Sequence, residues 1–300
     1  MKLVLILFIV WISISNLSLE TCSAGELMVH GDSFSILATQ QIKFVPLMQI
    51  APESLTDPDL PPVVDLKSDQ SKVKNQGPRG ACTYFVTTSL IESIIKKASG
   101  NELDLSEEYL AYAAKSKKKM RIFEEDSSIA VNAATFQEFG FILEENLPYQ
   151  QSWFDKGMPC EGQKDRPNIA ASCYSHDGPK SETLIKVIDG KNFIFQSVDS
   201  SSLDLVRSLA QNRTAVTASI QGHPTTWENS KLTGELILTS KLKKECQTRP
   251  KLCSGHAVLI VGYDIPKRTF TFKNSWGDQW GDKGYGTISF DSFEKASLFE

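Results

Sequence analysis

Between Cys82 and Gly100 largely apolar side chains recur every three or four positions, with Phe85, Thr88, Ile91, Ile94 and Ile95 on one face. That period predicts a long amphipathic helix. Lys96 and Lys97 fall in its last turn and Gly100 follows, both stop signals. A second helix is predicted from Ser106, whose hydroxyl can cap a first turn holding Glu107 and Glu108, charges suited to that end. A third is predicted from about Asn132 to Phe139, closing at Gly140. Beyond these the period changes. Phe193–Phe195, Ala215–Ile220, Leu236–Leu238, His256–Tyr263, Thr269–Phe272 and Tyr285–Phe290 are short β-branched or aromatic runs between turn residues, the pattern of an antiparallel sheet or barrel. One helix, about Ser202 to Gln211, is predicted to pack against it.

A helical first half and a strand-rich second half make an α+β fold, and the interface between them is a natural place for a cleft. Residues 61–170 form the mainly helical half and residues 171–300 the β-rich half. Ahead of them, residues 25–60 are irregular, with Pro46, Pro52 and Pro58 breaking any long helix. They read as a short propeptide or an arm on the surface. Pro61 and Pro62 then bias the chain towards an extended stretch through Val63 to Leu66.

Residues 3–14 are apolar apart from Ser13 and follow Lys2. The run is shorter than the roughly 20 residues that span a bilayer. With Cys22-Ser23-Ala24 offering small side chains before a cleavage point, residues 1–24 read as a secretory signal and Gly25 as the mature start. No stable membrane insertion follows, and the compartment is extracytoplasmic: extracellular, periplasmic or lysosome-like. Removing Cys22 leaves an odd number of cysteines. The closest sequence pairs are Cys160 with Cys173 and Cys246 with Cys253, although four cysteines allow three connectivities. Cys82 is left over.

The chain of 300 residues carries 32 basic against 36 acidic side chains, a net charge of −4. A nucleic-acid polyanion has no reason to be attracted to such a protein as a whole. Apolar residues make up 41% and the 18 glycines add 6%, giving 47%, inside the ordinary globular band of about 45–50%. The basic cluster Lys115, Lys117, Lys118, Lys119 and Arg121 reads as a solvated face complementing a helix dipole. Asn212-Arg213-Thr214 is a glycosylation sequon, meaningful in a eukaryotic secretory pathway. No Cys/His spacing suggests a metal, no glycine-rich loop cradles a phosphate, and no cofactor is implied.

The chemistry gathers around Cys82. The loop Asn75-Gln76-Gly77-Pro78-Arg79-Gly80-Ala81 runs directly into the long helix, so Cys82 sits at its N-terminus, where unpaired amides and the macrodipole favour a thiolate. Gln76 can fold back to set its amide beside the Cys82 backbone N–H, two donors for an oxyanion. Of His30, His176, His223 and His256, the last alone lies in a strand-like run. Asn274 follows one hairpin later and can accept from one imidazole nitrogen while the other faces Cys82. Trp276 can cover that hydrogen bond. Taken singly these are ordinary core or turn residues; their joint occurrence in this order points to covalent catalysis.

At these residues the sequence resembles the papain-like cysteine peptidases. The match comprises the Asn-Gln-Gly…Gly-x-Cys loop, the His-Ala-Val-Leu-Ile-Val-Gly-Tyr strand, and Asn-Ser-Trp-Gly…Trp-Gly followed by Gly284-Tyr285. The likeness spans about residues 61–290, with Leu105-Ser106-Glu107-Glu108 and Leu147-Pro148-Tyr149 in the expected order. It implies a helical domain and a β-rich domain facing each other across a substrate cleft. By it Cys82 is the nucleophile, His256 the general base and acid, Asn274 its orienter and Gln76 an oxyanion donor, acting on peptide or protein substrates. The alternatives are a catalytically silent binding protein of the same fold and an acyl transferase using an amine acceptor. Arg79-Gly80 before Ala81-Cys82 resembles a bacterial-type branch. Arg79 stands where the family has a cysteine, so a family disulfide is missing. Glu125-Asp126-Ser127-Ser128 stands where many members carry a Gly-Gly run that pairs with substrate. The interval from Cys82 to His256 exceeds the roughly 130–150 residues of compact members, which implies insertions around residues 155–200 and 221–253.

Overall fold

The computed structural model describes residues 60–120, 125–152, 154, 157, 160–162, 186–198, 201–249 and 252–296, and the backbone of a short hairpin, β1 (Glu26–Val29) with β2 (Asp32–Ser35). The signal segment, most of the arm, Cys173 and Arg121 lie outside the described residues.

The long helix α1 runs from Cys82 to Ser99 and stops at Gly100, whose φ of 74° is the left-handed C-cap that glycine adopts without strain. α1 is buried on more than one face. Val86 and the partly buried Leu90 join a core built on the sheet, while Phe85, Ile91 and Ile95 join a second core with Leu105, Leu110, Phe136 and Phe141. It is the wall shared by the two cores.

α2 (Glu107–Tyr112) starts as expected at Ser106, whose hydroxyl accepts from Tyr109 N, and continues into a π-helical turn over Ala113–Lys117. α3 (Ile129–Phe139) begins three residues before the expected start, because Ser128 caps it by accepting from Val131 N. The basic cluster that follows α2 is not a uniformly solvated face: Lys115 is buried and donates to the carbonyl of Asp126 at 2.8 Å. Exposed Lys117 lies over the rings of Tyr109, Tyr112 and Phe139.

The sheet is organised on its longest strand. β3 (Val63–Asp65) is the extended stretch expected after Pro62. After α4 (Ser202–Asn212) come β4 (Val216–Gly222), α5 (Pro224–Ser230), β5 (Glu235–Leu236), α6 (Ser240–Thr248), β6 (Ser254–Asp264), β7 (Thr269–Lys273), β8 (Tyr285–Ser289) and α7 (Phe290–Ala296). β6 pairs with β7 along one edge, and β4 and β3 share its other edge at successive positions, from Gly222↔Ser254 to Val63↔Asp264. A Cβ at Gly262 would lie 2.3 Å from the Val64 carbonyl, so the close approach of β3 requires glycine there. The pairings are antiparallel except for β5, which runs parallel to β8.

Further expectations differ from the structure: the Leu236–Leu238 run is a strand only as far as Leu236. Phe193–Phe195 is not a strand: both rings pack on Phe136 of the helical core, so burial against α3 overrides the local β pattern. The Tyr285–Phe290 run ends as a strand at Ser289, with Phe290 opening α7. Instead of one helix beside the sheet there are, among the described residues, four: α4 as expected, and α5, α6 and α7 besides. α5 and α6 carried readable signals, a Pro at the first turn after His223 and Thr239 as an N-cap.

Candidate active site

α1 begins without a side-chain cap at Ala81, so its first amides are left for another acceptor. Cys82, the first residue of the helix, packs partly buried against the sheet core that includes Ala257, the residue after His256. Among the described residues Cys82 is the free cysteine.

β6 carries His256 and β7 delivers Asn274, the residue just beyond its end. His256 Nε2 and Asn274 Oδ1 are 2.8 Å apart and buried. The Asn274 oxygen also accepts from Ser275 N at 2.8 Å, which fixes which end of the amide faces the ring. Nε2 must then carry the imidazole proton, leaving Nδ1 with its lone pair. The indole of Trp276 stacks on the ring, with centroids 4.4 Å apart at 28°. Trp227 of α5, which sequence reasoning missed, meets both rings edge-on, each with centroids 5.1 Å apart. A Cβ at Gly222 would lie 1.9 Å from the Trp227 indole nitrogen, so glycine there makes room for the indole.

Gln76 is buried and held from four sides. Its backbone N donates to Ser275 O at 2.8 Å and its carbonyl accepts from the Tyr149 hydroxyl at 2.9 Å. Its side-chain oxygen accepts from Ser275 Oγ at 2.6 Å, and its amide nitrogen donates to the carbonyl of Arg79 at 2.8 Å. The structure thus brings together Cys82 with the His256–Ala257 strand, His256 with Asn274 and Trp276, and Gln76 with Ser275.

The ionisation of the thiol differs from the expectation drawn from its helix-end position. Burial pushes the Cys82 thiol up, and the amides of Ala257 and Thr83 work against that rise without reversing it; the charge of Asp126 adds to it. Burial also depresses His256 to about 4, opposed by its hydrogen bond to Asn274. Each group separately is held neutral, because a charge on either loses more hydration than the nearby dipoles return.

A buried polar network supports the strand end from below. Lys273, next to Asn274, donates to Ser71 O at 2.9 Å and Ser89 Oγ at 2.8 Å, tying β7 to α1 and to the loop before it. Burial lowers it to about 8, against the opposing charge of Glu92. Lys74 pairs with Glu92 at 2.8 Å and Glu107 at 3.0 Å. The Glu107 carboxyl expected to favour the helix end is thus enclosed in an ion pair.

Cys246 and Cys253 form a disulfide just before β6. Cys160 is also disulfide-bonded; the expected pairing of Cys160 with Cys173 involves a residue outside the described ones. Asn212 of the sequon is exposed at the end of α4. Among the described residues no group of three or more His, Cys, Asp or Glu is arranged to hold a metal ion, and no helix is long and apolar enough to cross a membrane.

An α+β architecture with a thiol at a helix end and an imidazole on the facing strand defines the class. The chain belongs to the papain family of cysteine proteases, whose family model matches residues 60–297. Cysteine proteinase 2 of Zea mays is 29% identical over 236 residues, 75% of this chain and 54% of that protein. Chymopapain of Carica papaya is 28% identical, with 73% and 51% covered. The chain spans about half the length of these curated relatives. Among solved structures, xylellain, a cysteine protease from Xylella fastidiosa, superposes with a TM-score of 0.61 at 22% identity, covering 83% of this chain and 88% of that one. The Carica candamarcensis cysteine protease CMS1MS2, solved in complex with E-64, gives a TM-score of 0.53 at 22% identity, covering 80% and 98%. Both likenesses are to the fold.

Proposed function

We propose that this chain is a secreted cysteine peptidase that hydrolyses peptide bonds through a thioester on Cys82. The observation that carries the reading is the Nε2–H tautomer of His256, fixed by Asn274, on the strand against whose core Cys82 packs. A base with a free Nδ1 lone pair at every pH above about 4 is what proton transfer from the thiol needs.

In acylation the Cys82 sulfur attacks the peptide carbonyl carbon while its proton moves to His256 Nδ1. The imidazolium and thiolate then stabilise one another in a site too dry to favour either alone. The tetrahedral oxyanion takes the Cys82 backbone N–H and the second N–H of Gln76 Nε2, the first being engaged by Arg79 O. Collapse breaks the C–N bond as Nδ1 gives its proton to the leaving amine. Water, deprotonated by Nδ1, attacks the thioester; the acid leaves and the proton returns to the sulfur. Trp276 and Trp227 exclude water from the imidazole face. The Cys246–Cys253 disulfide supports an oxidising compartment.

Labelling with E-64 or iodoacetamide tests the reading. Cys82 should be modified rapidly in the wild type, much more slowly in His256→Ala and not at all in Cys82→Ala, with peptide turnover lost in both variants. Equal labelling of wild type and His256→Ala would sink it.

A further inference from the structure

Arg79 occupies a position where a charged side chain has no obvious place: three residues before Cys82, with its side chain 2% exposed. It is held from several directions. Its Nη1 donates to Glu108 Oε2 at 2.6 Å and to the carbonyl of Gln150 at 2.5 Å, and its Nε donates to Glu125 Oε1 at 2.9 Å. The guanidinium carbon lies 4.6 Å from the centre of the Tyr149 ring. Burial opposes its charge, but Glu108, Tyr149 and Glu125 hold the guanidinium above its usual range. A planar fork serves several acceptors at once, which a lysine ammonium on a flexible stem does not. The fork thereby joins α2, Glu125 ahead of α3 and the stretch at Tyr149–Gln150 to the loop in front of α1.

The main chain of this residue does something further. The Arg79 carbonyl accepts from Gln76 Nε2 while Ser275 Oγ donates to Gln76 Oε1, so carbonyl and hydroxyl together decide which way the amide faces. One amide hydrogen is engaged and the other is aimed by that engagement.

We propose that Arg79 is a positioning residue for the oxyanion: its clamped guanidinium fixes the carbonyl that orients the Gln76 amide, replacing with ion pairs the tether that a disulfide at this position would supply. The inference rests on the peptidase reading above. It assigns Arg79, Glu108 and Glu125 to the reaction without contact with substrate.

The test uses a contrast in chemistry. Hydrolysis passes through an oxyanion, whereas alkylation of Cys82 by iodoacetamide does not. Full-length Arg79→Met, Arg79→Lys and Glu125→Ala are compared with wild type for kcat, KM, alkylation rate and inhibition by a peptide aldehyde, whose adduct carries an oxyanion. Loss of one oxyanion donor costs about 10²–10³ in rate, so misaiming it in Arg79→Met should lower kcat by about tenfold or more. Aldehyde binding should weaken in parallel, with KM and alkylation within about twofold of wild type. Arg79→Lys should recover part of the loss. Glu125 lies at the edge of the clamp, 20% exposed, and its truncation should lower kcat by about fivefold in a chain that folds. The proposal is overturned if kcat and alkylation fall together, or if kcat is unchanged in folded Arg79→Met, with folded Glu125→Ala deciding should Arg79→Met not fold. Failure of the peptidase reading looks different: wild type itself would neither be alkylated at Cys82 nor turn over peptide.

Discussion

Replacing His256 by Gln removes one titrating group whose environment fixes both the sign and the size of its effect. Burial holds the imidazole at about 4 instead of 6.5. Between those pH values the unfolded chain binds a proton that the folded chain does not, so stability rises with pH through the window. The contribution is complete above 6.5 and is lost as pH falls to 4. At about 1.4 kcal/mol per pH unit the loss is about 3 kcal/mol, a large share of the 5–15 kcal/mol typical of a domain. Urea denaturation near pH 7 and near pH 4 measures it as the difference between the pH dependences of wild type and His256→Gln. That comparison cancels the pH-independent cost of the substitution. Wild type should lose about 3 kcal/mol more than the variant on acidification, and Cys82→Ala should lose as much as wild type. Equal losses in wild type and His256→Gln would refute the depressed imidazole. A resting thiolate–imidazolium pair carries the same total number of protons as the neutral pair and gives the same stability profile. The resting state is therefore read from the pH dependence of Cys82 alkylation. A neutral pair gives a rate that climbs towards alkaline pH, and a rate already at its plateau well below the free-thiol pKa of about 8.5 refutes the neutral resting pair.

Asn274→Ala leaves the buried Nε2–H of His256 and the Ser275 N–H without their acceptor, at about 1–3 kcal/mol for each unsatisfied donor. It should lower peptide turnover about tenfold or more and slow E-64 labelling; unchanged turnover would show that the ring needs no orienter. Gly222→Ala drives a methyl into the Trp227 indole, so the ring must swing away from His256 at a cost of about 1–3 kcal/mol. A red shift in tryptophan emission with a lowered denaturation midpoint would report it, and an unaltered spectrum would contradict the packing. We further expect residues 25–60 to act as an inhibitory arm: a chain beginning at Pro61 should turn over peptide faster than one beginning at Gly25, and equal rates would discard the idea.

Helices and strands were readable where local period and terminal residues agreed with burial. α1 is an example: Gly100 ends it and Cys82 opens it in both sequence and structure. Phe193 and Phe195 were misread because alternation of apolar residues cannot say which core will take them, and α3 took both. Lys115 was misread for the converse reason. A lysine in a basic run is solvated by default, and the Asp126 carbonyl that accepts from it offsets part of the cost of burial. Trp227 had no sequence signal, because it reaches His256 through the fold and not through spacing.

Order along the chain determined which side chains could act together: Gln76 and Cys82 on one loop and helix end, His256 and Asn274 one hairpin apart. Those are local facts, set by turn chemistry, caps and strand period. Tertiary structure decided their state. A thiol at a helix end alone would tend to ionise, yet packing against the sheet core raises the thiol and burial lowers the imidazole. The clamp on Arg79 is likewise invisible in sequence, since Glu108, Glu125 and Gln150 lie tens of residues away in the chain. Desolvation and the geometry of distant partners depend on the whole folded surface, which no local pattern encodes.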